Sequence, residues 1–144
     1  MLYQYLDISK LKVGDSASLS KTVSESDVYQ YAGITGDMNP VHIDEEYAAR
    51  TAFGGRIAHG MLAAGFISAV MAMKLPGPGA IYQEQSLKFT APIRIGDTIT
   101  ATAEILEIGP KRKSARLKTT CINQRGVVVC EGIASILLPR KKRE

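Results

Sequence analysis

Between Gly60 and Met73 the chain runs for 14 residues without a charge, and few folds can house a helix of that kind. Gly60, Ala63, Ala64, Gly65, Ser68, Ala69 and Ala72 are scattered among Met, Leu, Phe, Ile and Val, so a helix over His59 to Leu75 has no polar face and has to be buried. It is short of the roughly 20 apolar residues that cross a bilayer, so a central core helix is predicted rather than a membrane span. Its small residues let a sheet wrap closely around it, with Gly65 tolerated in mid-helix at roughly 0.5–1 kcal/mol. Pro76-Gly-Pro-Gly79 ends the helix. Alternating patterns then predict strands at Ile81–Phe89, Thr98–Ile108, Ala115–Asn123 and Val127–Leu138, parted by turn signals at Ile95-Gly96-Asp97, Gly109-Pro110 and Arg125-Gly126. The expected sheet is an antiparallel meander, completed by an earlier strand at Ala17–Val23. Together these elements predict an α+β layer architecture, a curved antiparallel sheet around a long central helix, with open edges that a second copy can pair with.

At 144 residues, 45% hydrophobic and 22% charged, the chain is the size of one domain with a real core, spanning 1–144. The N-terminus shows no basic segment followed by an apolar run, which predicts no targeting peptide and a cytoplasmic protein. Most of the +4 net charge sits in Arg140-Lys-Lys-Arg-Glu144, read as a solvated tail at 140–144, with docking of an acidic partner or a phosphorylated ligand as the minor alternative. No basic face with interleaved aromatics precedes that tail, so nucleic acid is not an expected partner. Lys111-Arg112-Lys113 reads as an exposed turn, with contact to a coenzyme A phosphate as the alternative. Cys121 and Cys130 lie on the two arms of a hairpin turning at Gln124-Arg125-Gly126. That turn puts Cys121 opposite Val129 and points Cys130 to the other sheet face, so reduced structural thiols are expected.

Chemistry concentrates earlier. Ser24 with Asp27 matches a capping box that opens a helix, Gly33 and Gly36 end it, and Asp44-Glu-Glu starts a second helix through Tyr47 and Ala48 toward Arg50. Between them, Asp37 and His42 lie five residues apart around Asn39-Pro40. That spacing does not share a helix face, but a bent loop can bring the two side chains together. Pro40 fixes its own φ and pushes Asn39 toward an extended conformation, so the loop is pinned.

The segments Tyr31-Ala-Gly-Ile-Thr-Gly-Asp37-Met-Asn39-Pro40-Val-His42, with Ala48, and Phe53-Gly-Gly-Arg-Ile-Ala-His59-Gly60-Met-Leu resemble the MaoC-like hotdog dehydratases, especially the bacterial (R)-specific enoyl-CoA hydratases. The likeness continues through Leu75-Pro-Gly-Pro-Gly-Ala-Ile-Tyr82, Gln85-Ser-Leu-Lys-Phe89 and Pro92-Ile-Arg-Ile-Gly96-Asp97. A lone Gly-Asp or Asn-Pro would mean little; the combination is specific. The resemblance implies a hotdog fold, a homodimer or higher homo-oligomer, and reversible addition of water to a trans-2-enoyl thioester to give an (R)-3-hydroxyacyl thioester. It places the catalytic pair on Asp37 and His42 and the N–H that holds the thioester carbonyl on Gly60. Ser68 falls on a pocket position near the pair. His59 is a second pocket candidate, whose place ahead of the core helix favours positioning or capping. Asn39 and Pro40 are assigned to loop positioning.

The chemistry agrees with those residue types. Hydration needs a base for the attacking water, a donor for C2 and a partner for the enolate oxygen. Carboxylates and imidazoles, with ordinary pKa values near ~3.9 and ~6.5, both act as bases at neutral pH and can share one water. Which of Asp37 and His42 is base and which is donor stays open. Gly60, at the start of the long helix, offers an unpaired N–H and the positive end of the dipole. No metal and no cofactor are expected: the chain has two histidines without HxxxH or CxxC spacing, no nucleotide fingerprint, and coenzyme A enters as part of the substrate. Taken alone, Asp37 would read as a turn residue, His42 as a satisfied polar group, and Met61, Met71 and Met73 as core filling. The competing functions are a (3R)-hydroxyacyl dehydratase acting on acyl carrier protein, a thioesterase on the same fold, and a non-catalytic acyl-CoA-binding module. The poised acid–base couple argues against the last.

Overall fold

The structure is a computed structural model and describes residues 3–140, so most of the basic tail, 141–144, lies outside the described residues. Its centre is a sheet whose inner face is written in simple alternation. Strand β4 (Thr98–Ile108) buries Ile99, Ala101, Ala103 and Ile105, and β5 (Ser114–Ile122) buries Ala115, Leu117, Thr119 and Cys121. Strand β6 (Val128–Leu137) adds Cys130, Ala134 and Ile136. Three of the inward residues at the middle of this surface, Ala101, Ala103 and Ala134, are small enough for a helix to come close. Helix α4 (Gly60–Met73) takes that place and buries Ala63, Ile67, Val70 and Met71. Each larger side chain buried there contributes about 1.5–3 kcal/mol.

Two expectations about the sheet are corrected. The order is β1-β4-β5-β6-β2, with β1 (Ser16–Thr22) on one edge and β2 (Ile81–Gln85) on the other. Only β4, β5 and β6 form a meander; the first strand after the helix crosses to pair with the last. The predicted strand Ile81–Phe89 is also broken. It divides into β2 and β3 (Lys88–Phe89), both on β6, because the chain bends at the exposed Ser86, whose hydroxyl accepts the Ile133 N–H at 3.0 Å. Gly132 makes room for this break: a side chain there would overlap the Ser86 carbonyl oxygen.

The expected placement of Cys130 on the opposite face fails for a similar local reason, while the expectation of free thiols stands. Ile122 pairs with Val128 as the turn predicts, but a bulge at the next step makes Cys121 the direct partner of Cys130. One extra residue flips every side chain beyond it. Both thiols therefore sit on the buried face, and both are free. Cys121 Sγ faces the Ala63 carbonyl of α4 at 3.6 Å, and burial pushes this thiol up to about 12. Lys111, Arg112 and Lys113 are exposed as expected, and the Arg112 guanidinium also donates to the Leu11 carbonyl at 2.7 Å and to that of Ile8 at 3.2 Å.

Helix α4 is buried on one side only. Met61, Gly65 and Ala72 form an exposed stripe on an uncharged helix, with Ser68 and Ala69 half-buried beside it. Among the described residues no helix is long and apolar enough to cross a membrane.

The nucleophilic form of a thiol is the thiolate, so neither cysteine should react with a water-soluble disulfide reagent at neutral pH while the chain is folded. Thiol titration should find two reactive groups only after urea unfolding. In the same assay, Ile67→Ala should lower the unfolding free energy by about 2–5 kcal/mol through the cavity it leaves.

Candidate active site

The segment ahead of α4 is a series of short helices joined by side-chain caps. Helix α1 (Glu25–Thr35) opens on the predicted capping box: Ser24 Oγ accepts the Asp27 N–H at 3.0 Å and Asp27 Oδ2 accepts the Ser24 N–H at 2.9 Å. It runs through Gly33 and stops at Gly36, whose φ of +79° is the left-handed conformation that favours glycine. Asp37 follows at once. Its Oδ1 accepts the Asn39 N–H at 3.2 Å, and Asn39 Oδ1 in turn accepts the Val41 N–H at 3.3 Å. The expected bent loop is thus only half loop. Asn39 and Pro40 start a single helical turn, α2 (Pro40–Ile43), and His42 rides on it rather than on irregular chain. Helix α3 (Glu45–Ala49), capped by Asp44, completes the series.

His42 is 7% exposed, and its Nδ1 lies 2.7 Å from the Ile57 carbonyl. A carbonyl oxygen only accepts, so Nδ1 carries a proton, and in the neutral ring Nε2 is the nitrogen with the lone pair. His59 is 2% exposed and donates from Nε2 to the main-chain carbonyl of Asp37 at 2.9 Å. The two imidazoles lie face to face, ring centres 3.8 Å apart at 30°, and the Tyr31 ring covers His59 at 4.6 Å. One polar atom each from Asp37, His42 and His59 lie within 4.8 Å of one another. Two atoms at that separation can each hold the same water through hydrogen bonds of about 2.8 Å. Two of the four ring nitrogens are already committed to main-chain carbonyls, His42 Nδ1 to Ile57 and His59 Nε2 to Asp37, which leaves one on each ring.

Ion pairs and a short main-chain bridge hold this segment in place. The Ile57 N–H donates to Val41 O at 3.1 Å and the Ala58 N–H to Ile93 O at 2.8 Å, tying α2 to the turn before β4. Arg56 reaches Glu25 at 2.8 Å, Glu45 at 3.0 Å and the Tyr29 hydroxyl at 2.8 Å, bracing α1 against α3. The pairing with Arg56 holds the Glu25 carboxyl below the usual carboxylate range. The Arg94 guanidinium donates to the Phe53 carbonyl at 2.6 Å. Asp97, 4% exposed, organises the neighbouring turn by accepting from the Arg94 N–H and from Gln124, both at 2.8 Å.

Gly60 follows His59 directly as the first residue of α4. Helices α1, α2 and α3 are each capped by a side chain; α4 is not, which leaves its first N–H groups for another partner. A side chain at Gly60 would come within 3.0 Å of the Phe89 ring, so glycine keeps this helix start open. Beside it lies an apolar cavity of about 520 Å³, lined by Phe53, Ile57, Gly60, Met61, Phe89 and Ile93 among others. The structure thus brings Asp37, His42 and His59 together, with Gly60 next in chain. It leaves Ser68 two turns farther along α4, outside the cavity lining, and His59 behind His42 rather than in that lining. Asn39 holds the turn, as its place in the motif predicts. Sequence reading missed Arg56, Tyr31 and the Ile57 carbonyl as site residues. Tyr31 and Arg56 both lie inside the quoted segments, which was the signal available for them, and a backbone acceptor leaves none.

Residues 12–125 match the family model described as a MaoC like domain. The chain is 54% identical over 141 residues to an (R)-specific enoyl-CoA hydratase of Rhodospirillum rubrum, covering 98% of this chain and 95% of the relative. It is 50% identical over 132 residues to a 3-hydroxybutyryl-CoA dehydratase of Methylorubrum extorquens, covering 92% of this chain and 83% of the relative. Among solved structures, the unliganded R-hydratase of Pseudomonas aeruginosa superposes with a TM-score of 0.90 at 42% identity, covering 96% of this chain and 89% of its own. Sequence, fold and the grouping of Asp37 with His42 converge, and the chain belongs to the MaoC-like family of hotdog proteins.

Proposed function

We propose that this protein is an (R)-specific enoyl-CoA hydratase, a hydro-lyase that adds water reversibly to a trans-2-enoyl-CoA. The observation that carries the reading is the Asp37 carboxylate beside an imidazole whose Nδ1 is committed to Ile57 O, leaving Nε2 of His42 bare. The activities named for the similar R. rubrum and M. extorquens proteins support it. In this scheme Asp37 and His42 hold one water between them. As its oxygen bonds to C3, one of the pair takes a proton, and a proton from the same pair reaches C2 on the same face of the alkene. The hydroxyl and hydrogen added to the substrate therefore both come from the pair and its water, and the enzyme returns to its starting protonation. The thioester oxygen that gains charge in between is held by the Gly60 N–H at the uncapped start of α4. The cavity beside Gly60 takes apolar substrate surface. No cofactor is required by the scheme, since coenzyme A arrives on the substrate. The free thiols fit a cytoplasmic setting.

The working unit is proposed to be a homodimer. An uncharged helix with an exposed stripe of Met61, Gly65 and Ala72 needs cover, and a second copy supplies a like surface. Gly65 has open space where a side chain would start, so a substitution there disturbs the single chain little beyond the helix itself.

Hydration is followed by loss of enoyl-thioester absorbance, with chiral analysis of the product. Asp37→Asn and His42→Ala should each lower the rate by on the order of 10²–10⁴-fold without unfolding the chain. Wild-type turnover in either variant would remove that residue from the scheme. A higher rate on a matched acyl-carrier-protein thioester would reassign the substrate to the carrier-bound form. In sedimentation experiments Gly65→Glu should convert a dimer to a monomer, and a wild-type mass of one chain would refute the dimer outright.

A further inference from the structure

His59 is a buried titratable side chain that the hydration scheme does not use, and it touches both members of the pair. His42 is anchored at one point, the 2.7 Å hydrogen bond from Nδ1 to Ile57 O. One such bond fixes a nitrogen and leaves the ring free to tilt about it. The His59 ring overlies it with centres 3.8 Å apart and planes 30° apart, and Tyr31 backs His59 from 4.6 Å, which restricts the tilt and narrows the directions in which Nε2 can point. Through Nε2–H the same ring grips the main-chain carbonyl of Asp37, so rotation of that peptide, which would swing the carboxylate, is opposed as well.

Packing alone does not account for this histidine. With Nε2 donating, Nδ1 carries a lone pair, and it is buried without a hydrogen-bond partner. An orphaned buried acceptor is destabilising, and a phenylalanine would fill the space without one. What phenylalanine lacks is the donor to Asp37. We infer that His59 is a positioning residue that aims the imidazole of His42 and anchors the backbone of Asp37 with a single neutral ring, an inference that rests on the roles given to Asp37 and His42 above.

The test pairs two variants. His59→Phe keeps a flat ring against His42 and removes the donor; His59→Gln keeps a donor near the Nε2 position and removes the ring. Each is read by hydration of crotonyl-CoA and by the ring-proton resonances of His42 in the purified protein. In both, kcat should fall about 10–100-fold while KM stays within about threefold, since a shift of about 1 Å in a reacting group is that costly and His59 touches no substrate. In His59→Gln the His42 ring protons should lose the shielding of the overlying ring and broaden; in His59→Phe they should remain shielded. Wild-type kcat in a folded variant, or His42 resonances unchanged in His59→Gln, overturns the inference. A wild-type chain that does not hydrate crotonyl-CoA overturns the functional reading instead, and the resonances then decide the role of His59 alone. If His59→Gln does not fold, the kcat of His59→Phe decides.

Discussion

Everything in this fold answers to an uncharged helix that water cannot accept on any side. The sheet satisfies half of that demand, meeting Ala63, Ile67, Val70 and Met71 with the inward residues of β4, β5 and β6. Small residues on the sheet set how close the helix can come, and the closeness fixes where its first turn lies. The other half of the helix, Met61, Gly65 and Ala72, stays uncovered in one chain. The same hydrophobic requirement thus builds the core, positions Gly60 and leaves one face of the helix uncovered, the face proposed to meet a second copy.

The site is held by main-chain carbonyls rather than by other charges. Ile57 O and Asp37 O each accept from one histidine nitrogen, and in doing so each chooses a tautomer. Such acceptors neither titrate nor change rotamer, so the bare Nε2 of His42 does not depend on a neighbouring carboxylate being ionised. Charged groups act one layer out: Arg56 ties α1 to α3 through Glu25 and Glu45, and Arg94 holds the backbone at Phe53. Rigid short helices then present a carboxylate and an imidazole to one small volume, the preorganisation that the proposed water addition requires.

Local signals were read well wherever the physics is local. The capping box of Ser24 and Asp27, the stop at Gly36 and the bounds of strand Thr98–Ile108 each depend on residues within a few positions of one another. Errors arose where distant segments choose partners. Alternation along Ile81–Phe89 marks extended chain but says nothing of the neighbour, and Ser86 breaks that strand only because Gly132 of β6 admits its backbone. The cysteine register turned on one bulged residue, which a count along the hairpin does not reveal.

By itself the sequence determined the class of fold and the chemistry available. An uncharged 14-residue segment demands burial, alternating runs demand a sheet, and the motif around Asn39-Pro40 sets a carboxylate and an imidazole five residues apart. Tertiary structure alone decided the strand order, the shared face of Cys121 and Cys130, and the stacking of His59 on His42. The reason is that periodicity and capping are properties of neighbours in the chain. Pairing and stacking instead bring together residues such as Asp37 and His59, and their geometry exists only once the core has closed around α4.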